Sequence, residues 1–457
     1  MRVVIAYILL CSVLISACRK NERITADPTA KLKFYQDSVL FDTVFTAVGS
    51  VTKKLKVLNP YHDALNITEI KLAGGSSSPF SLNINGQGGP NRNNVILNGQ
   101  DSLNILVKVL IDPGTKELPF LVQDSIVLIT NGNKQVIQLL AYGQNAVFVN
   151  QTNINTNTTW NKALPYVVSN SVTVKNGATL TIEAGARILF NKDATLFVDG
   201  ALQVNGTVSE PVEFGSERLE AIYNDLPGQW KGLYFRKTGK GVINHSVIKN
   251  ASIGIAADSL SSTGNPKLIL ANSVIKNMQV AAYIGYHTDL TAFNNLFYNC
   301  GNYLIYAVGG GNYNLKQNTF AGFNLTFPRK TAALTFSDYL SAKAYNRLQL
   351  NLTNNIIWGN LTNELDIQHK TAAVVQSTLV NNLIKTTSGN YNANNLTNLD
   401  PLFTSVNAEN FELSNASPAL KKGINLNTDP YYSGYLNKDL KGKVRFFPSS
   451  LGCYEKF

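Results

Sequence analysis

Apolar and polar positions alternate along this chain in short stretches, and one six-residue phrase returns through its second half. The phrase reads His-Ser-Val-Ile-Lys-Asn at 245–250 and Asn-Ser-Val-Ile-Lys-Asn at 272–277. It recurs as Asn-Asn-Leu-Phe-Tyr-Asn at 294–299, Gln-Asn-Thr-Phe-Ala-Gly at 317–322, Asn-Asn-Ile-Ile-Trp-Gly at 354–359 and Asn-Asn-Leu-Ile-Lys-Thr at 381–386. Its second position falls at Ser246, Ser273, Asn295, Asn318, Asn355 and Asn382, in steps of 27, 22, 23, 37 and 27 residues. A polar residue just ahead of a short apolar pair, at a period a little over 20, marks a solenoid. Short strands parted by Gly or Asn turns predict a parallel β-helix in which each coil buries one slice of a continuous core.

The pattern opens at 170–214. Val172-Thr173-Val174 precedes Gly177-Ala178-Thr179-Leu180-Thr181-Ile182-Glu183-Ala184-Gly185, and a second pass starts at Asp193-Ala194-Thr195-Leu196-Phe197-Val198-Asp199-Gly200. With Asp400-Pro401-Leu402-Phe403, Ser417-Pro418-Ala419-Leu420 and Gly452-Cys453-Tyr454-Glu455 further on, this stretch resembles bacterial right-handed parallel β-helix proteins of the pectate-lyase-like superfold. The resemblance implies a right-handed parallel β-helix over 150–457. It speaks to fold and little to activity, because one fold hosts many functions. The recurring Asn suits a coil corner, since it tolerates the left-handed backbone region, and amides stacked about 4.8 Å apart can hydrogen-bond up a ladder. We read the column as a buried turn ladder first and as a ligand-facing stripe second.

The 37-residue step exposes an insertion within 323–345. Insertions in a solenoid gather on one face, commonly the binding face. Arg329, Lys330, Tyr339 and Tyr345 are therefore the binding candidates, suited to stacking on sugars or pairing with acidic groups. The competing reading is a solvated excursion.

Residues 31–147 carry a different rhythm. Leu103, Ile105, Val107, Val109 and Ile111 alternate strictly, and Asn131-Gly132 joins two apolar runs as a hairpin turn. About seven short strands are expected, the count of an Ig-like β-sandwich. The segment resembles the Ig-like modules that precede repeat domains in bacterial surface proteins, which act mostly as spacers. The fold class is thus all-β, an N-terminal Ig-like β-sandwich followed by a right-handed parallel β-helix.

Composition agrees: 44% hydrophobic and 15% charged residues exclude a disordered or coiled-coil chain. The net charge of +11 is spread without a basic run, which argues against nucleic acid as a partner. At the start, Arg2 precedes an apolar run from Val3 to Ile15, the length of a signal segment and too short to span a membrane. Leu14-Ile15-Ser16-Ala17-Cys18 resembles the lipobox of bacterial lipoproteins. That resemblance implies a signal peptide over 1–17, lipidation of Cys18, a tether over 18–30 and a membrane partner through the anchor. Arg19 after the cysteine points to the outer membrane or cell surface, and Arg19-Lys20-Asn21-Glu22 loosely resembles surface-export signals of Bacteroidota lipoproteins. Only Cys300 and Cys453 remain as mature thiols, and they read as small buried residues rather than a bridge.

Catalysis on a glycosidic bond needs two carboxyls a few ångströms apart. Between 240 and 400 acidic residues are sparse, and only Glu364 and Asp366 share a face at strand spacing, with His369 and Lys370 nearby. Glu364, Asp366 and His369 are the catalytic candidates. No metal, cofactor or nucleotide is expected. The leading expectation is a non-catalytic, lipid-anchored surface protein whose β-helix binds glycan or another extracellular partner. A polysaccharide lyase or glycoside hydrolase on the same scaffold is the alternative, and a structural envelope spacer the third.

Overall fold

The computed structural model describes residues 23–113, 119–324, 328–341, 344–370 and 375–457. The signal segment, Cys18 and the first part of the expected tether lie outside them. The chain divides into two compact units, Met1–Asn145 and Ala146–Phe457, both built almost wholly of strands. Among the described residues no helix is long and apolar enough to cross a membrane.

In the first unit two five-stranded sheets enclose one core. Strand Ser102–Val109 shows how the sequence does this. Leu103, Ile105, Val107 and Val109 point inward and are buried, while the residues between them stay exposed or half-buried. Asn131 and Gly132 take φ of 48° and 82°, the two left-handed positions of a tight hairpin, and pair Phe120–Thr130 with Asn133–Gln144. Among the described residues ten strands form rather than about seven. The additions include the two-residue edges Lys33–Phe34 and Gln87–Gly88, and Asn91–Leu97, whose polar run Asn-Arg-Asn-Asn hides any alternation.

Among its described residues the second unit is built on one parallel sheet of 25 strands wound at three strands per coil, a parallel β-helix. Inward positions stack coil upon coil. Leu196, Leu233, Ile255, Tyr283, Ile305, Leu334 and Leu365 form one such column of the first face. On the third face Ile248, Ile275, Phe297, Phe320, Ile357 and Ile384 form another, with the Phe297 and Phe320 rings stacked at 4.9 Å. In two coils the first and second faces fuse into continuous strands, Ala281–Phe293 and Tyr303–Lys316, which bend at His287 and at Gly309 to Gly311.

The recurring phrase builds the corner before the third face. Ser246, Ser273, Asn295, Asn318, Asn355 and Asn382 are buried, and from Ser273 onward each offers its side-chain oxygen to the backbone amide of the ladder residue one coil earlier, Ser273 doing so through its hydroxyl to Ser246. From Asn295 onward the side-chain amide also donates to the next Asn and to a backbone carbonyl. Asn395 ends the ladder by accepting from Asn382 at 2.9 Å. The left-handed backbone is held one residue earlier than the sequence suggested. His245, Asn272, Asn294, Gln317, Asn354 and Asn381 have φ between 49° and 59°, leaving the ladder residues free to point inward.

The coils close at Leu396–Thr397. The chain from 400 onward returns along the third face as an outer layer. It carries the hairpin of Phe403–Ser405 and Asn410–Leu413, and a segment bonded to the corner residues, with Asn354 exchanging two bonds with Ile424 and Asn381 reaching Lys422. Cys300 lies in the coil core and Cys453 on the inner side of this layer, both as free thiols. Burial pushes each up to about 12.

Candidate functional site, an aromatic face of the β-helix

Along the first face of the β-helix, the middle residue of each short strand lies between two core residues and so points away from the coil core. These middle residues are Phe197, Tyr234, Ala256, Ile284, Tyr306, Thr335 and Asp366, one per coil in unbroken register. Neighbouring positions add Tyr286, Tyr303 and Tyr339. Tyr303 and Tyr306 lie 4.5 Å apart between centroids, and Tyr286 is 40% exposed. Such half-buried rings expose apolar faces and polar edges together, the surface that a sugar ring with its C–H face and hydroxyl rim can cover.

Polar groups flank the rings. Arg236 lies 4.3 Å over the Phe197 ring while its guanidinium grips Asp199 at 2.8 and 2.6 Å. The Tyr234 hydroxyl donates to Asp258 at 2.8 Å, and the Lys237 amide donates to the same carboxylate at 2.6 Å. Burial works to raise the Asp258 carboxyl, but these donors and the Ser259 hydroxyl outweigh it and hold it below the ordinary range. Tyr234 is pushed up to about 12, first by burial and then by Asp258. Toward the C-terminal coils Tyr339 donates to Gln368 at 2.8 Å, Gln368 donates to Asp366 at 2.6 Å, and the Lys370 ammonium sits 5.1 Å over the Tyr339 ring.

Asp366 and Tyr339 therefore belong to this face. Glu364 does not. Its side chain turns into the coil corner and is fully buried, accepting from Arg329 at 2.6 Å, Leu361 at 2.9 Å and Ala333 at 3.0 Å. Burial pushes its carboxyl above the ordinary range, against the pull of Arg329. Two corrections follow. Glu364 and Asp366 do not share a face, because the chain turns between the corner and the strand Leu365–Gln368. Arg329 is no surface ligand either, being 6% exposed and spent on Glu364 and the Gly322 carbonyl. Room for this pair comes from glycine. A Cβ at Gly359 would lie 2.4 Å from Glu364 Oε1, and one at Gly322 2.6 Å from Arg329 Nη2. The sequence carries that signal, since the phrase ends in Gly at 322 and 359 where earlier coils have Asn. Lys330, His369 and Tyr345 are exposed, and Tyr345 pairs with Tyr339 across a small hairpin.

By fold and register this unit is a parallel β-helix. The family model of the pectate-lyase like beta helix domain matches residues 152–306. No curated protein matches. Among solved structures, XylC in complex with xylose is similar at 9% identity over 93% of this chain and 87% of that one, with a TM-score of 0.37. A PapD-like domain of human CEP192 aligns at 14% identity over 26% of this chain and 89% of that one, and a family 123 glycoside hydrolase from Clostridium perfringens at 8% over 26% of each, both with a TM-score of 0.18. The chain thus spans about a quarter of that hydrolase.

Proposed function

We propose that this chain is a lipid-anchored cell-surface protein that binds glycan along the aromatic face of its β-helix and does not cleave it. The observation carrying this reading is the composition of that face. Four rings, Tyr234, Tyr286, Tyr303 and Tyr306, occupy three of four successive coils, while the carboxylates Asp199, Asp258 and Asp366 follow one another at two and then four coils, Asp199 being gripped by Arg236. At the spacing of paired strands Asp258 and Asp366 are roughly 19 Å apart, against the roughly 5–9.5 Å between working carboxyls of glycosidases, and Asp199, roughly 10 Å from Asp258, is already engaged by the Arg236 guanidinium. Rings repeated along a solenoid suit a ligand that itself repeats. Cys18 would carry the anchor, and several acyl chains hold a protein to a bilayer far better than one.

A glycan array probed with the full-length protein, with product release followed on every glycan that binds, tests this reading. Binding without product, lost in Tyr306→Ala, is the expected result. Released oligosaccharide would overturn the non-catalytic part, and an array silent throughout would overturn glycan as the ligand. Fatty-acid labelling should vanish in Cys18→Ala, and retained label would refute the anchor.

A further inference from the structure

We propose that the corner groove between the first and second faces binds an oxyanion of the phosphate or sulfate class, with Lys267 as its buried counter-charge. This groove of about 350 Å³ is cut by the corners of four successive coils and is separate from the aromatic row. Three lysines line it, Lys237, Lys240 and Lys267, together with the hydroxyls of Ser261, Ser262 and Thr263.

Lys267 is the telling residue. It is 1% exposed, yet its ammonium meets a single acceptor, the carbonyl of Lys237 on the same groove wall. Among the described residues no carboxylate comes within 4.0 Å of it. Lys316, the other lysine of this unit that is nearly as buried among the described residues, meets the Asp429 carboxylate directly, whereas Lys267 has no such partner. A buried ammonium with two of its three donors idle is costly unless an anion completes it. Asp258 and Asp289 act on Lys267 through space, and burial still dominates, lowering its affinity for the proton. Both carboxylates have donors of their own, Asp258 from Lys237 and Tyr234, Asp289 from Ser261 at 2.7 Å and Asn312. Three ammonium groups beside three hydroxyls suit a tetrahedral oxyanion, which can accept several hydrogen bonds at once. The glycines at 200 and 239 bring the corners together, since a Cβ there would fall 2.2 Å from the Lys175 carbonyl and 1.9 Å from that of Val198.

The test titrates the full-length protein with inorganic phosphate at constant ionic strength, reading heat of binding and unfolding midpoint, beside the variants Lys267→Met and Lys240→Gln. Because phosphate salts out any protein, only a saturable response counts. The expected result is saturable binding that weakens at least about tenfold in K267M and less in K240Q, since a buried charged bond contributes more than an exposed one. Without phosphate, K267M should be as stable as the parent or more so. A response linear in concentration, or equal in the parent and both variants, would overturn the proposal. If K267M does not fold, the charge is part of the scaffold and the proposal falls unless K240Q weakens binding on its own. Glucose 6-phosphate tried beside inorganic phosphate separates an anion carried on a sugar from a free ion.

Discussion

At the scale of residues, the pair Arg329–Glu364 shows how far chemistry read from spacing can stray. The carboxylate and guanidinium are 35 positions apart in sequence and fully within the coil, with side chains 0% and 2% exposed. Sequence showed a Glu two residues from an Asp, which reads as one strand face. It could not show that Glu364 sits in the corner ahead of the strand Leu365–Gln368, where its carboxylate turns to Arg329. Removing one member of a buried pair leaves the other uncompensated, at about 3–5 kcal/mol, whereas replacing both by apolar groups is often neutral or better. Glu364→Gln should therefore lower unfolding stability by that amount, and Arg329→Met with Glu364→Met should recover most of it. Urea unfolding of the two variants decides this. Equal losses in the single and double changes would mean the pair is held apart from the fold's stability by other contacts.

At the scale of elements, the ladder was legible because every coil repeats one constraint. Each corner needs a side chain to satisfy the amide of the coil before it, and only a short polar residue fits. What escaped was the division of labour within the phrase. The left-handed residue precedes the ladder residue, and both are Asn in three coils, at 294–295, 354–355 and 381–382. The aromatic row escaped for a related reason. Leu-Phe-Val at 196–198 and Leu-Tyr-Phe at 233–235 are unbroken apolar runs, and periodicity cannot say which member faces out when all three are apolar. Asn318 sits mid-ladder. Its loss would orphan the Asn295 amide and the Ala292 carbonyl, both buried. An unmet buried group costs about 1–3 kcal/mol, so Asn318→Ala should cost several times what Asn395→Ala costs at the partly exposed ladder end. Chemical denaturation midpoints of the two variants compare them directly, and equal midpoints would deny the ladder its cooperative role.

At the scale of the whole β-helix, the question is why the coils stop while the chain goes on. Outward positions of the third face turn apolar in the later coils: Leu296, Ile356 and Leu383 in one row, Tyr298 and Trp358 in the next. In earlier coils the same rows hold Glu213 and Lys249, joined by an ion pair of 2.7 Å that can face water. The layer from 400 onward covers the apolar stretch, placing Leu413, Ala419 and Leu451 on Ile356, Trp358 and Leu383, and Phe411 and Cys453 on Leu296, Tyr298 and Ala321. Read as sequence, that segment seemed to continue the coils, since its short apolar phrases resemble theirs; its partner surface is invisible until the coils are wound. Each covered side chain contributes about 1.5–3 kcal/mol, so the layer stabilises the coils by an amount comparable to a whole domain's margin. A chain ending at residue 399 should therefore associate through the bared face and lose its cooperative unfolding transition. Sedimentation and thermal unfolding would show this, and a monomer melting at the parent's temperature would mean that the coils stand alone and the layer serves something other than their stability.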